Sequence, residues 1–323
     1  MQAKATKSGN ERRKPGFVDG EQRREDWKLR RAGELKVLQA IPLTRIEWLV
    51  HGFSTRAGGA SELKGTEQAP EQRTARVLNL GFTDWDSGER VLENRRRFGE
   101  VLGAAKMRVA ALRQIHSDVI HVAHARMTRT QAPQGDALIT QERGVLLLIQ
   151  TADCVPILLA DIKNRAVGAI HAGWRGTLRR IAEKTLGRMR LEFGTRPEDV
   201  SAAVGPCIGR CCYEVGSDVA REFAGQFPKA REWFEGPFDA LAAADNDPNW
   251  LPWLTMRPPG HPPPSPKVQL DLVAANRSIL SDAGVPSERI FCSNLCTACR
   301  TDLFFSYRRE QITGRMGAAI AIC

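Results

Sequence analysis

Six histidines among 323 residues are too few for a four-copper oxidase cluster, which uses more imidazole ligands than the chain owns. No apolar run approaches the roughly 20 residues that cross a bilayer. No internal repeat is visible, which excludes solenoids and propellers. Eight cysteines are present, but the only C-x-x-C is Cys296–Cys299, and a four-cysteine zinc site ordinarily draws on two such pairs. A second, structural metal is therefore not expected, and Cys207, Cys212 and Cys323 read as small buried residues. The first residues carry charge and no apolar segment, so the expected setting is the cytoplasm, where thiols stay reduced.

What is there suits a globular protein: 42% hydrophobic and 26% charged residues, in a length that allows one large domain or two ordinary ones. The net charge of +10 is unevenly spread, because residues 1–36 hold 11 Lys/Arg against 6 Asp/Glu. That segment reads as a basic arm, disordered up to about Trp27, and residues 37–323 as the folded domain. Without interleaved aromatics the arm does not argue for nucleic acid, and neither nucleic acid nor membrane is expected as a partner. The remaining positive excess suits an anionic substrate such as phosphate.

The stretch Val145–Leu191 organises the chain. Val145–Ile149, Val155–Ala160 and Ala166–Ile170 are short continuous apolar runs, the pattern of strands buried on both faces. Cys154 stands between the first two, beside Asp153, and His171 closes the third. His-Ala-Gly-Trp-Arg-Gly then leads into an amphipathic helix expected over Arg175–Leu191. Both reactive side chains thus sit at strand ends opening onto a Gly-containing turn, where open α/β sheets place ligands. The turn is also an anion site in outline, with Arg175 beside it.

Elsewhere, Asp86–Leu102 has helical period with Asp86–Ser87 as its cap. Val109–His124 reads as a strand, a polar break at His116-Ser117-Asp118, and a return strand at Val119–Val122. His116 falls in that break, a plausible ligand position. His121 and His124 read as surface or half-buried. Arg56 precedes Gly58-Gly59, which lets backbone approach a ligand closely, and so is a candidate for phosphate. Further helices are expected at 217–227 and 270–283, and a closing strand at 318–322. Residues 228–268 hold Trp233, Trp250, Trp253 and six prolines between Pro258 and Pro266, and read as a surface insertion or linker.

His116, Cys154 and His171 together form a set that can bind zinc tetrahedrally and leave one position open, the mark of a catalytic site. Asp153 or Ser117 is a candidate for orienting a ligand imidazole. The same residues also suit a metal-free nucleophile, with Cys154 activated by His171. A single copper is a third option, since Cu²⁺ outcompetes Zn²⁺ at most N/S sites.

Several segments carry a resemblance: HGFSTRAGG, LNLGF, RQIHSD, GDALIT, TADCVPILL, HAGWRGT, VGPCIGRCCYEVG, LDLVAANRSIL, and FFSYRRE with TGRMGA. In this order, across about 47–323, they resemble the laccase-domain (YfiH-type) family, described first as polyphenol oxidoreductases and now assigned purine nucleoside phosphorylase activity. The resemblance implies an α/β single domain with layered mixed β-sheets and flanking helices. It also implies phosphorolysis of adenosine, inosine, guanosine and 5′-methylthioadenosine, with adenosine deamination besides. Its metal site is carried over onto His116, Cys154 and His171, and Arg56 and Arg175 are the candidates for phosphate. The expected protein is a cytoplasmic zinc-dependent enzyme, with a Cys154 hydrolase or amidase and a copper polyphenol oxidase as alternatives. The oligomeric state stays open.

Overall fold

The alternation of apolar residues along the strands explains the layering. The computed structural model describes residues 26–63, 75–127, 132–238 and 267–323. Its first sheet holds β1 (Trp27–Ala32), β2 (Leu35–Ala40), β3 (Leu49–Ser54), β6 (Arg108–Ala111), β9 (Val145–Thr151) and β17 (Met316–Ile322), in the order β1-β2-β3-β17-β9-β6. The second holds β7 (Ile120–Val122), β8 (Ala137–Thr140), β10 (Val155–Asp161), β11 (Ala166–Ala172), β12 (Val200–Val204) and β16 (Ile290–Cys292), in the order β16-β12-β10-β11-β8-β7. Both are mixed: β6–β9, β7–β8 and β12–β16 pair in parallel, and the other ladders are antiparallel. Smaller pairings join β4 (Ala57–Leu63) to β5 (Ala75–Val77), and β13 (Glu214–Val215) and β14 (Phe234–Glu235) to β15 (Val268–Leu270).

The helices are α1 (Ile41–Thr44), α2 (Gly88–Leu102), α3 (Trp174–Leu178), α4 (Ile181–Phe193), α5 (Ser217–Gln226), α6 (Leu272–Asp282) and α7 (Tyr307–Glu310). Successive side chains of a strand point to opposite faces, so each apolar run feeds two cores. On β9, Val145, Leu147 and Ile149 join Leu158, Val167, Ala169 and Ile320 between the sheets, while Leu146 and Leu148 turn to Phe98 and Leu102 of α2. On β10, Val155, Ile157 and Leu159 face Ile181, Leu186 and Met189 of α4, with Phe223 of α5 and Ile279 of α6 in the same cluster. The result is four layers: α2, the first sheet, the second sheet, and α4 to α6. The expected α/β fold with layered mixed sheets is the observed one.

Four expectations are corrected. The region read as a 1–36 arm supplies strand β1 and begins β2, so the sheet starts at Trp27; residues 1–25 lie outside the described set. The helix expected over 175–191 is two helices, α3 and α4, broken at Arg180 in left-handed conformation (φ 59°). Val119–Val122 is no return strand: β6 belongs to the first sheet and β7 to the second, so the chain crosses between sheets instead of reversing. The near edges of the 228–268 stretch are core, not surface, because Trp233, Phe234 and Phe238 are buried against Phe223 and Val268; Trp250, Trp253 and the prolines lie outside the described residues.

One histidine is structural. His51 lies buried on β3, where its Nε2 accepts from the Ala40 amide at 3.1 Å. Burial pushes its pKa down to about 4. The unfolded imidazole takes up its proton near 6.5 and the folded one only near 4, so between those values the unfolded chain binds more protons and stability falls with falling pH. His51→Gln, which keeps an acceptor for Ala40, is expected to remove about 2–3 kcal/mol of this acid destabilisation, measured as the difference between wild-type and variant urea unfolding at pH 7 and pH 4.5.

Candidate metal centre

Two of the three candidate ligands lie where the chain leaves one sheet for the other. Between β6 and β7 the crossing carries His116 at φ 58°, and between β9 and β10 it spans only Ala152, Asp153 and Cys154, with Asp153 at φ 91°. Left-handed backbone is uncommon for residues with a Cβ and persists where surrounding contacts enforce it. The third ligand comes by register: His171 pairs with Pro156 across the β10–β11 hairpin, which sets it beside the start of β10 and hence beside Cys154. β11 runs through His171 to Ala172, so the histidine is the penultimate strand residue.

The geometry is compact. Cys154 Sγ lies 3.8 Å from His116 Nε2, and one donor atom from each of the three residues lies within 4.8 Å of the others. His116 is exposed, Cys154 half-buried and His171 buried. Gly173 closes the cluster from one side: a Cβ there would stand 3.0 Å from both Cys154 Sγ and His116 Cδ2.

Asp136 holds the arrangement, and sequence reasoning passed over it. Its fully buried carboxylate accepts from His171 Nδ1 at 2.8 Å, from the His116 amide at 3.1 Å, and from the Ser117 amide and hydroxyl at 2.5 and 2.7 Å. The His171 amide in turn donates to the Asp136 carbonyl at 2.8 Å. Burial opposes ionisation of Asp136, but hydrogen bonds from His171 and Ser117 override it and hold the carboxyl down at about 2. With its Nδ1–H spent on Asp136, His171 turns Nε2 toward Cys154 as a ligand or partner. Burial works against charge on both Cys154 and His171; each nonetheless shifts toward its charged form, the thiol down and the imidazole up, because each supports the other's charge.

Ser117 therefore acts through Asp136, and Asp153 does not orient an imidazole. Asp153 instead accepts from Thr297 Oγ1 at 2.6 Å and the Arg308 amide at 2.7 Å, tying the Cys154 loop to the segment before β17. A buried acid opening GDALIT was the available signal for Asp136. Nothing in its spacing from His116 or His171 announces the contacts, because they arise from pairing: the antiparallel β8–β11 ladder sets Asp136 beside His171, and the parallel β7–β8 ladder brings the His116 segment alongside.

The cluster opens into a cavity of about 1140 Å³ running toward α2. Arg175 lines it, its guanidinium 4.2 Å from the Trp174 ring. The chain's only two tyrosines, Tyr213 and Tyr307, also line it, as do Phe82, Arg308 and Arg315, none of them singled out in the sequence. Scarcity of tyrosine was the one usable hint. Arg308 Nη2 donates to the Glu214 carbonyl at 3.1 Å with its guanidinium 5.4 Å from the Tyr213 ring. Burial pushes the Tyr213 hydroxyl up, and the negative charge of Cys154 adds to this, so it stays protonated.

Arg56 is a correction. It is absent from the cavity wall; its Nη1 pairs with Glu310 at 2.7 Å and donates to the Thr301 carbonyl at 2.7 Å, while its guanidinium covers the Phe305 ring at 4.9 Å. The adjacent glycines admit backbone, not ligand: a Cβ on Gly59 would lie 2.0 Å from the Val77 carbonyl oxygen. Both features pack β4 against β5 and the 301–310 segment. His121 is half-buried and His124 exposed, as expected.

The fold and cluster define an α/β protein with a metal-competent Cys/His₂ centre at the mouth of a large basic and aromatic cavity. The comparisons place it. A family model described as multi-copper polyphenol oxidoreductase laccase matches residues 50–323, and the chain belongs to that family. It is 38% identical over 289 residues to the purine nucleoside phosphorylase of Deinococcus radiodurans, covering 87% of this chain and 93% of that protein. It is 34% identical to the purine nucleoside phosphorylase YlmD of Geobacillus stearothermophilus, covering 84% of this chain and 93% of the relative. The crystal structure of YlmD from that organism superposes with a TM-score of 0.71 at 30% identity, over 91% of this chain and 98% of the other. The Bacillus licheniformis hypothetical protein YfiH gives a TM-score of 0.73 at 26% identity, over 91% and 99%. Among the described residues the donor clusters are this Cys/His₂ centre and a group of four cysteines. No described helix is long and apolar enough to cross a membrane.

Asp136→Asn offers an amide where several donors converge and leaves His171 without its carboxylate. The expected outcome is a loss of about 2–4 kcal/mol in urea unfolding and a 10- to 100-fold weaker metal affinity in chelator competition. Unchanged metal affinity would separate Asp136 from the centre.

Proposed function

We propose that the chain is a metal-dependent purine nucleoside phosphorylase, acting on adenosine, inosine, guanosine and 5′-methylthioadenosine, with adenosine deamination as a side activity. The observation that carries this reading is the convergence, in one cavity, of the His116–Cys154–His171 cluster with the Arg175, Arg308 and Arg315 guanidinium groups and the Tyr213, Tyr307 and Trp174 rings. The names of the relatives support it.

The residues match the needs of the reaction. Phosphorolysis joins a phosphate oxygen to C1′, breaks the C1′–N9 bond and delivers a proton to the departing purine. Arg175, stacked on Trp174, and Arg308, fixed by Glu214, present planar donor forks for a phosphate, the geometry that bidentate recognition requires. The aromatic rings give a purine flat apolar surface. Tyr213, kept protonated by burial, offers a hydroxyl proton toward the base. Asp136 keeps His171 and the His116 loop in place throughout.

One thiolate and two imidazoles, one of them already oriented by a carboxylate, fit zinc, with copper as the competing ion. His116, Cys154 and His171 would hold the ion, which would supply Lewis-acid polarisation and water activation, the chemistry that deamination of adenosine calls for.

The test is to incubate metal-analysed protein with adenosine, with and without phosphate, and to separate adenine, inosine, hypoxanthine and ribose 1-phosphate. Phosphate-dependent adenine that disappears in Cys154→Ala is the expected result. Inosine alone would reduce the reading to a deaminase. Turnover of other substrates by metal-stripped protein, stopped by alkylation of Cys154, would make it a cysteine hydrolase; the 3.8 Å approach of His116 Nε2 to Cys154 Sγ favours that reading second. Arg175→Ala is expected to raise the phosphate KM about tenfold or more with little change in nucleoside KM. An unchanged phosphate KM would remove Arg175 from that role.

A further inference from the structure

We propose that Cys211, Cys212, Cys296 and Cys299 form a second metal site, a structural tetrathiolate centre for zinc, separate from the Cys/His₂ centre. This overturns the expectation that no second metal is present and that Cys212 is an ordinary buried thiol; Cys212 is half-buried within this group, and Cys323 is exposed.

The sequence shows one C-x-x-C, and the fold supplies the missing pair. β12 and β16 are parallel neighbours, and the loops beyond their ends leave side by side. A bridge between Cys207 and Cys296 extends that ladder, with the Cys207 amide donating to the Leu295 carbonyl at 3.3 Å and the Thr297 amide to the Cys207 carbonyl at 2.9 Å. The first loop then turns through a 3₁₀ segment, Arg210–Cys212, that aims two adjacent cysteines at the C-x-x-C.

The sulfur geometry is that of ligands around an ion. Cys211 and Cys212 Sγ lie 3.5 and 3.4 Å from Cys299 Sγ, and all four sulfurs lie within 4.8 Å of one another. Four sulfurs at the Zn–S distance of about 2.3 Å from a common centre stand about 3.8 Å apart, whereas a disulfide needs about 2.05 Å.

Two further observations point to thiolates here. The Gly209 amide donates to Cys296 Sγ at 3.2 Å, an amide-to-sulfur bond that supports negative charge on sulfur. Gly209 is needed for it, since a Cβ there would stand 3.1 Å from Cys296 Cβ and 3.3 Å from Cys211 Sγ. Arg309 places Nη2 3.7 Å from Cys212 Sγ while its Nε donates to the Ala298 carbonyl at 3.2 Å, a cation beside a centre whose four thiolates outweigh one divalent ion. Four protein donors leave no open position, so the role is structural. The centre staples the loop carrying Ile208 and Tyr213 to the segment carrying Tyr307 and Arg308, all of them cavity residues.

The experiment counts metal on the full chain purified under reductant. Wild type is expected to hold about two zinc equivalents, and Cys296→Ser/Cys299→Ser and His116→Ala/Cys154→Ala about one each. Cobalt(II) added to metal-free His116→Ala/Cys154→Ala should give the visible absorption of a tetrahedral tetrathiolate complex. This arm reads the site even if the double-serine variant does not fold. One equivalent in wild type, a cobalt spectrum without thiolate character, or a disulfide linking Cys211 or Cys212 to Cys296 or Cys299 in the purified protein would overturn the proposal.

Discussion

A carboxylate with no access to water sits at the point where the two sheets exchange chain. Removing Asp136 from solvent is costly, and the cost is offset only because donors from one loop and a strand end converge on it. One of its oxygens takes the His171 imidazole and the His116 amide, and the other takes the amide and hydroxyl of Ser117. The same interaction makes the His116 loop adopt left-handed backbone and fixes the tautomer of His171. Hairpin register sets His171 beside Cys154, and Asp136 adds the third member by holding the His116 loop against them.

The sandwich makes that convergence rigid. Each central strand is buried on both sides, between the inter-sheet core and a helical layer, so the strand ends cannot shift without disturbing two cores. Crossing from β9 to β10 in three residues leaves Cys154 little freedom, and Gly173 fills the space beside it with no atoms to spare. The far wall of the cavity is built differently, from loops after β12 and β16 that the sheets do not cover. Asp153, through Thr297 and the Arg308 amide, ties the second of those loops to the rigid part, and the four cysteines lie where the two loops meet.

Strands and helices were legible where period and burial agree. Val145–Ile149, Val155–Ala160 and Ala166–Ile170 each read as doubly buried strands because nothing but apolar residues could face two cores. The capped helix at Ser87–Leu102 was legible from local signals alone. What the sequence hid was pairing. A polar break at His116–Asp118 looks the same whether the chain reverses or crosses to another sheet, and only the partners of β6 and β7 decide it. Asp136 goes unnoticed and Arg56 is misplaced for one reason: a buried carboxylate and a half-buried arginine are defined by partners far along the chain, Asp136 by His171 and Arg56 by Glu310. Adjacent Cys211 and Cys212 likewise gain meaning only when parallel pairing of β12 and β16 brings Cys296 and Cys299 alongside.

The central claim is that two sheet crossings and one hairpin register assemble a single metal centre. Anomalous diffraction from crystals of the metal-containing protein, recorded at the zinc and copper absorption edges, tests it most directly. The account predicts a peak bounded by His116 Nε2, Cys154 Sγ and His171 Nε2, with His171 Nδ1 still on Asp136. Crystals that contain metal but show no density there would contradict it.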